Sequence, residues 1–486
     1  MSPRTQALHD IGEQCASSDW VRAQPGLQLA ACQLARQLDG RVEGASRRAE
    51  QIAAPGLGPI PRTLRQVAAL QGAQLRTARG WLQSSAGRGP VPKGAQDLLK
   101  DSVADVLRHH LSLLGPPGAE VARILVSSGS LAPERLVRRL EDEPIAWEPM
   151  SVSGVERVTD RALPGLVRRI EPAPVGATPV LQTHRCQLVD GSAALVRVRR
   201  PGSRRALLAD ARFSGTMAWA FEQVASGVRD AHPQGFVQLA VRQLLDELDL
   251  RNHAFNAIEL GLAVESLGIE GIRVARPLPA GITPSAALFE HVDGEPIGPD
   301  DEPPTDPTAV GSGLAAILVL AAVGRGVFHA DPGPEHLMRA ADSNIVLVGC
   351  PVLGRLTPDL RRAGYAYLTS VLSGDHAAQV VAMHDAGAIP DGTDLEALEA
   401  DLAAGGSLDP MALLGSEGTG ALLDGLRDAV AILLRHRLRP PLEVVLLVRG
   451  LFALQRALPV AAPGASLTGS LLPLLPRLPE LAADGA

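Results

Sequence analysis

The sequence predicts an α+β fold in two lobes: a small antiparallel sheet with one long helix, then a mostly helical half, all preceded by a helical extension. Three observations carry this expectation. "PVLQTHRCQLVDGSAALVRVRRPG" holds two alternating runs around Asp190-Gly191, a strong hairpin signal. Before it, "GLQLAACQLARQL" and "LRQVAALQGAQLRTARGWL" repeat apolar residues every three or four positions, as helices do. After it, the apolar mass is Leu, Ala and Val, which favours helix, while aromatics are only 3% of the chain.

Taken in order, residues 1–150 read as helices broken by "APGLGPIP" and "AGRGPVP". Residues 151–297 hold the sheet. In the second of the two runs, Val196 and Val198 should face one side and Arg197 and Arg199 the other. A single long helix is expected from about Gln234 to Ser266, with Glu247 and Arg251 one turn apart and able to pair. "ALFEHVDGEPI" reads as a strand leaving into a turn. Residues 298–486 are the helical half. The uncharged stretch from Pro307 to Gly324 approaches membrane-spanning length. It opens with Pro, Thr and Gly, so a buried core helix of about a dozen residues is expected. "NIVLVG" is a short strand. Thr357, Pro358 and Gly374 bracket a helix as N-cap, first-turn proline and C-terminal stop.

Composition narrows function. The chain has 486 residues, 46% apolar and 20% charged, enough for a sizeable core. Its formal net charge is −7, so a nucleic-acid partner is not expected. Four scattered cysteines without Cys-x-x-Cys spacing indicate neither a zinc knuckle nor a redox dithiol. No apolar h-region marks a secretory signal near Met1. A cytoplasmic protein is expected, with peripheral membrane association left open. Of 46 basic residues only Lys93 and Lys100 are lysines, so no lysine is available after position 100.

The order of elements is that of a two-lobed protein-kinase-like fold, and several motifs together resemble the UbiB-like atypical kinases. "LQGAQLRTARG" resembles the Lys-x-Gly-Gln helix in degenerate form, with Arg76 at the lysine, Ala78 at the glycine and Arg79 at the glutamine. "PVGATPVLQTHR" resembles the alanine-rich phosphate loop, with Gly176, Ala177 and Thr178 in the loop and Gln182 and His184 in its tail. "ALVRVRRPG" places Arg197 at the ATP-clamping lysine. "ELDLRNHAFNA" retains Glu247, Asp249 and Asn256 of the Glu-x-Asp helix. "FHADPGPEHL" resembles the catalytic loop, with Asp331 at the catalytic aspartate and His336 in place of the loop asparagine. "LVGCPVLGRLTP" parallels the metal-binding Asp-Phe-Gly segment, with Gly349 at the aspartate. The resemblance implies a link to isoprenoid quinones and related lipids.

Phosphoryl transfer needs magnesium on the phosphates, a lysine held by a glutamate and a carboxylate near the acceptor. By this resemblance Arg197 and Glu247 are expected to pair at the nucleotide. Asp331 survives, with a structural role on loop amides as its alternative. His329 is expected to be a scaffold histidine. Magnesium demands oxygen ligands, and neither His336 nor Gly349 supplies one. Cys350 and Pro351 do not substitute, and Asp342 lies upstream of the strand. A His329/Asp331/His336 metal site lacks a fourth ligand. Pro179 after Thr178 removes a backbone N–H from the phosphate loop. The expectation is therefore a catalytically impaired pseudokinase with no cofactor and no metal, binding a protein partner or an isoprenoid-type lipid. The alternative is an active atypical kinase or ATPase that binds ATP weakly or without magnesium.

Overall fold

The computed structural model describes residues 11–38, 104–127 apart from 106, 134–208, 211, 244–298, 303–341, 344–406 and 435–484, with isolated positions between 425 and 432. Arg76, Ala78, Arg79 and Asp342 lie outside the described residues.

Two helices of the extension, α1 (Pro116–Ser127) and α2 (Glu134–Asp142), share a small core through Leu114, Ala119, Ala122, Leu136 and Leu140. Helix α3 (Val152–Ala162) follows, capped by the Ser151 side chain. The sheet is antiparallel in the order β1-β2-β3-β6-β5, with β1 (Val167–Ala177), β2 (Leu181–Leu188), β3 (Ala193–Arg199), β5 (Pro277–Ile282) and β6 (Ala286–Glu290). The β2–β3 hairpin turns at Asp190-Gly191 as expected. Gly191 takes a φ of 90°, and Asp190 Oδ1 accepts from Ser192 N–H at 2.9 Å. Val196 and Val198 pack beneath α3 with Val155 and Leu163, while Leu195 on the opposite face enters the main core. Arg197 shares that opposite face and is fully buried.

The long helix departs from expectation. Helix α4 runs from Leu250 to Ser266, and residues 244–247 form a separate turn before it. Asp249 breaks the path. It takes an extended conformation and its carboxylate accepts from Arg251 N–H, so it caps a new helix rather than continuing the old one. Arg251 consequently pairs with Asp249 at 2.6 Å, not along a helix face with Glu247. Residues 11–38 cover the outer side of α4 through Ile11, Leu27 and Leu34 against Phe255 and Ile258. Gly261 allows the approach, since a Cβ there would lie 2.5 Å from the Trp20 ring.

Strand β7 (Gly294–Pro296) precedes the uncharged stretch. The uncharged stretch forms two helices, α5 (Pro307–Ala316) and α6 (Val319–Arg325), joined at Ile317-Leu318. Leu314 through Leu318 are in the main core. The span Pro307–Arg325 and helix α9 (Leu442–Ala461) are each long and apolar enough to cross a membrane, but the first is mostly packed inside the fold. Strands β8 (Val327–His329) and β11 (Leu353–Arg355) pair. Strands β4 (Ile272–Val274), β9 (Leu337–Ala340) and β10 (Ile345–Leu347) join β7 in a second sheet. Helix α7 (Pro358–Ser373) starts and stops where the sequence places it: Thr357 Oγ1 accepts from Leu360 N–H, and Gly374 is left-handed at φ 69°.

Candidate functional site

The cleft between the lobes is built from β3, the turn after β8, the segment after β10, and helices α1 and α9. Central strand β3 carries Arg197 inward, opposite Thr183 on β2. Its Nε donates to Thr183 Oγ1 at 2.9 Å, and its Nη1 reaches His253 Nδ1 on α4 at 3.4 Å. His253 Nε2–H donates to the Glu247 carbonyl at 2.7 Å, which leaves Nδ1 as the acceptor for Arg197. The guanidinium also sits 5.8 Å from the Phe289 ring centroid. Burial pushes Arg197 down to about 10, with Cys350 opposing, so it remains charged at neutral pH. Burial, and then Arg197, push His253 down to about 3. The expected Arg197–Glu247 pair does not form. Glu247 acts electrostatically on Arg123 of α1 instead.

The catalytic-type turn is held by His329. Its Nε2–H donates to Gly349 O at 3.0 Å and its Nδ1 accepts from Asp331 N–H at 3.1 Å. Both ring nitrogens are thereby used, as a scaffold role requires. Asp331 is fully buried, but it does not bind loop amides. Its Oδ2 accepts from Arg449 of α9 at 2.8 Å and from Arg123 of α1 at 3.1 Å. Arg123 also reaches Glu335 at 2.7 Å and Glu120 at 2.8 Å. Burial alone would raise the Asp331 pKa. The Arg449 and Arg123 charges overcome it and hold the carboxyl well below the usual range. Burial likewise acts against the Arg123 charge, and Glu120, Asp331, Glu335 and Glu247 outweigh it. A carboxylate so tightly paired is a weak base.

The two positions that the resemblance aligns with metal ligands, His336 and Gly349, meet here. His336 closes the turn Pro334–His336 before β9, buried and with neither ring nitrogen hydrogen-bonded among the described residues. Burial and Arg197 keep it neutral. At Gly349 a Cβ would lie 2.6 Å from both Arg197 Nη atoms and 2.7 Å from His336 Nδ1. The guanidinium and the imidazole therefore stand where an aspartate side chain would project.

The remaining residues singled out by sequence make the following contacts within the fold. Gly176 and Ala177 belong to β1, opposite Thr183 and Gln182. A Cβ on Gly176 would lie 2.7 Å from Glu335 O, so this strand rests on the His336 turn. Thr178 Oγ1 accepts from Leu181 N–H at 3.1 Å and shapes the β1–β2 turn. Gln182 ties to both backbone groups of Met150, and His184 Nδ1 lies 2.8 Å from Glu171 O. Asn256 donates to Cys350 O at 2.9 Å and accepts from Arg355 at 2.8 Å, fixing the segment after Gly349 to α4.

Sequence reasoning missed the arginines that fill the cleft. Glu120, Ala122 and Arg123 of α1 match no residue of Lys-x-Gly-Gln, so no motif marks Arg123 in the sequence. Between Val444 and Gln455 of α9 Arg449 is the one charge, and such a charge in an apolar stretch requires a partner when buried.

Sheet, helix and aspartate-bearing turn define a protein-kinase-like domain. Residues 148–384 match the ABC1 atypical kinase-like domain. It is similar to proteins named "Probable protein kinase UbiB". That of Pseudomonas fluorescens (strain Pf0-1) is 26% identical over 313 residues, covering 60% of this chain and 57% of the relative. Those of Azotobacter vinelandii and Marinobacter nauticus are 25% and 26% identical, covering 56% and 57% of their own lengths. The chain thus matches little more than half the length of these relatives. A Mycobacterium tuberculosis structure, the Rv3197–erythromycin complex, is 16% identical with a TM-score of 0.45, covering 77% of this chain and all of that one.

Proposed function

We propose that this chain is a pseudokinase: a kinase-like protein that has lost magnesium-dependent phosphoryl transfer and acts by binding a protein partner or an isoprenoid-type lipid. The observation that carries the reading is the crowding at Gly349. Arg197 and His336 lie within 2.7 Å of where its side chain would begin. Losing the metal's charge stabilisation removes several kcal/mol from the transition state, or a few powers of ten in rate. The clamping of Asp331 by Arg449 and Arg123 supports the same reading, because it ties up the remaining carboxylate. The lipid link rests on the family alone.

The test is purified full-length protein with radiolabelled ATP and magnesium. Phosphate release or transfer should stay at background, and millimolar ATP with magnesium should leave the melting temperature unchanged. Turnover that disappears in Asp331→Asn would overturn the proposal. Mass spectrometry of organic extracts of the same protein tests the lipid arm, where a co-purifying isoprenoid is expected.

A further inference from the structure

The cleft holds one cluster that loss of kinase chemistry leaves without a role. One potential ligand atom from each of Asp331, Glu335 and His336 lies within 4.8 Å of the others. His329, the third residue of the trio set aside on sequence, is not among them, because both its nitrogens are engaged. Glu335 takes its place. Three atoms in the cluster have no hydrogen-bond partner among the described residues: Asp331 Oδ1, His336 Nδ1 and His336 Nε2. Asp331 is fully buried and His336 is 2% exposed. A buried imidazole with neither nitrogen satisfied is costly and calls for a ligand.

We propose that Asp331, Glu335 and His336 form a seat for a borderline divalent cation of the Zn2+ type, and that Arg123 occupies this seat as an internal cation until the metal displaces it. The inference rests on the proposed loss of magnesium chemistry at the cleft. Two carboxylate oxygens and an imidazole nitrogen suit Zn2+ and leave a fourth position open, whereas Mg2+ prefers oxygen donors throughout. Arg123 Nη1 lies 2.7 Å from Glu335 and 3.1 Å from Asp331, between the same carboxylates. A guanidinium and a metal ion would repel each other there, so the two exclude one another. Arg123 is the cleft arginine able to leave. Its side chain is 20% exposed at the rim, whereas that of Arg449 is 3% exposed.

The test uses the full chain stripped with chelator and titrated calorimetrically with Zn2+ and, separately, Mg2+. A single Zn2+ should bind, and Mg2+ should not. His336→Asn keeps an oxygen at the position but removes the ring. It should weaken Zn2+ by at least the roughly 10- to 100-fold that loss of even an outer-sphere partner costs. Arg123→Gln should tighten it. Co2+ should give visible absorption bands that vanish in His336→Asn. If that variant does not fold, Glu335→Gln at a partly exposed position gives the same reading. Failure of both wild type and Arg123→Gln to bind Zn2+ would overturn the proposal. So would Zn2+ binding indifferent to His336→Asn and Glu335→Gln, or unchanged by Arg123→Gln. Magnesium-dependent ATP binding in a parallel titration would instead sink the pseudokinase reading, and the Zn2+ arms would still be read on their own.

Discussion

Substituting Asp331→Asn separates a catalytic from a structural aspartate, because the two roles predict opposite signatures. In the structure Asp331 is the hydrogen-bond partner of Arg449, whose Nε and Nη1 have none among the described residues. Arg449 is 3% exposed. Neutralising Asp331 leaves this guanidinium buried and uncompensated, a change that costs about 3–5 kcal/mol. Arg123 is cushioned by Glu120 and Glu335, so most of the loss falls on Arg449. Urea unfolding followed by circular dichroism should register that loss, with ATP turnover at background before and after. Arg449→Met added to Asp331→Asn should restore part of the stability, with a coupling of about 0.5–3 kcal/mol. The sign with pH follows from the depressed Asp331 pKa. The stabilisation is present above the unfolded carboxylate value of about 3.9 and is lost as pH falls toward the folded value. The reasoning fails if Asp331→Asn keeps wild-type stability while abolishing a measurable ATPase.

Gly349→Asp alone should not restore magnesium-dependent ATP binding, because its Cβ meets Arg197 and His336, and the new carboxylate would pair with Arg197. A Gly349→Asp/His336→Asn/Arg197→Lys triple variant should show an ATP-induced thermal shift only with magnesium, and equal shifts in single and triple variants would contradict this. Gly176→Ala should cost about 1–3 kcal/mol by overpacking, since its Cβ would press on the Glu335 carbonyl, a backbone atom that cannot rotate away. An unchanged melting temperature would show that the strand is not seated on that turn. The buried histidines make the fold acid-labile. His253 and His329, lowered to about 3 and about 4, bind protons in the unfolded chain from about pH 6.5 downward. Stability should therefore fall by up to about 1.4 kcal/mol per pH unit for each histidine as pH drops from 6.5 toward 4. A denaturation midpoint flat across that window would refute it.

Local chemistry was legible wherever one or two residues decide it. Asp190-Gly191 marks its hairpin because few residues take a positive φ there, and Thr357 with Gly374 brackets α7 for reasons of capping alone. The break at Asp249 was harder, since the flanking residues keep helical spacing and only the carboxylate's bond to Arg251 N–H reveals a new N-cap. The contents of the cleft were the least legible. Arg123 and Arg449 lie 208 and 118 positions from Asp331, and nothing in local spacing brings three such distant segments together. By resemblance Arg197 stands in for a lysine, with Glu247 as its expected partner. The longer, forked side chain bonds to Thr183 and ends over Gly349.

That endpoint makes the two substitutions one physical event. An arginine at position 197 needs room for a planar group beyond the reach of a lysine ammonium, and a glycine at 349 provides it. An aspartate at 349 in the present packing would begin 2.6 Å from two guanidinium nitrogens. Each residue is thus poorly suited to the catalytic arrangement and well suited to the other. The arginine fills the space, His253 and Thr183 satisfy its donors, and Phe289 covers its face. Asn256 then fixes the neighbouring backbone through Cys350 O. In the proposed pseudokinase reading, the place of a solvated ion between phosphates is taken by a packed interior. Returning it to catalysis requires moving several of these contacts together, which is why a single reverted residue is expected to do so little.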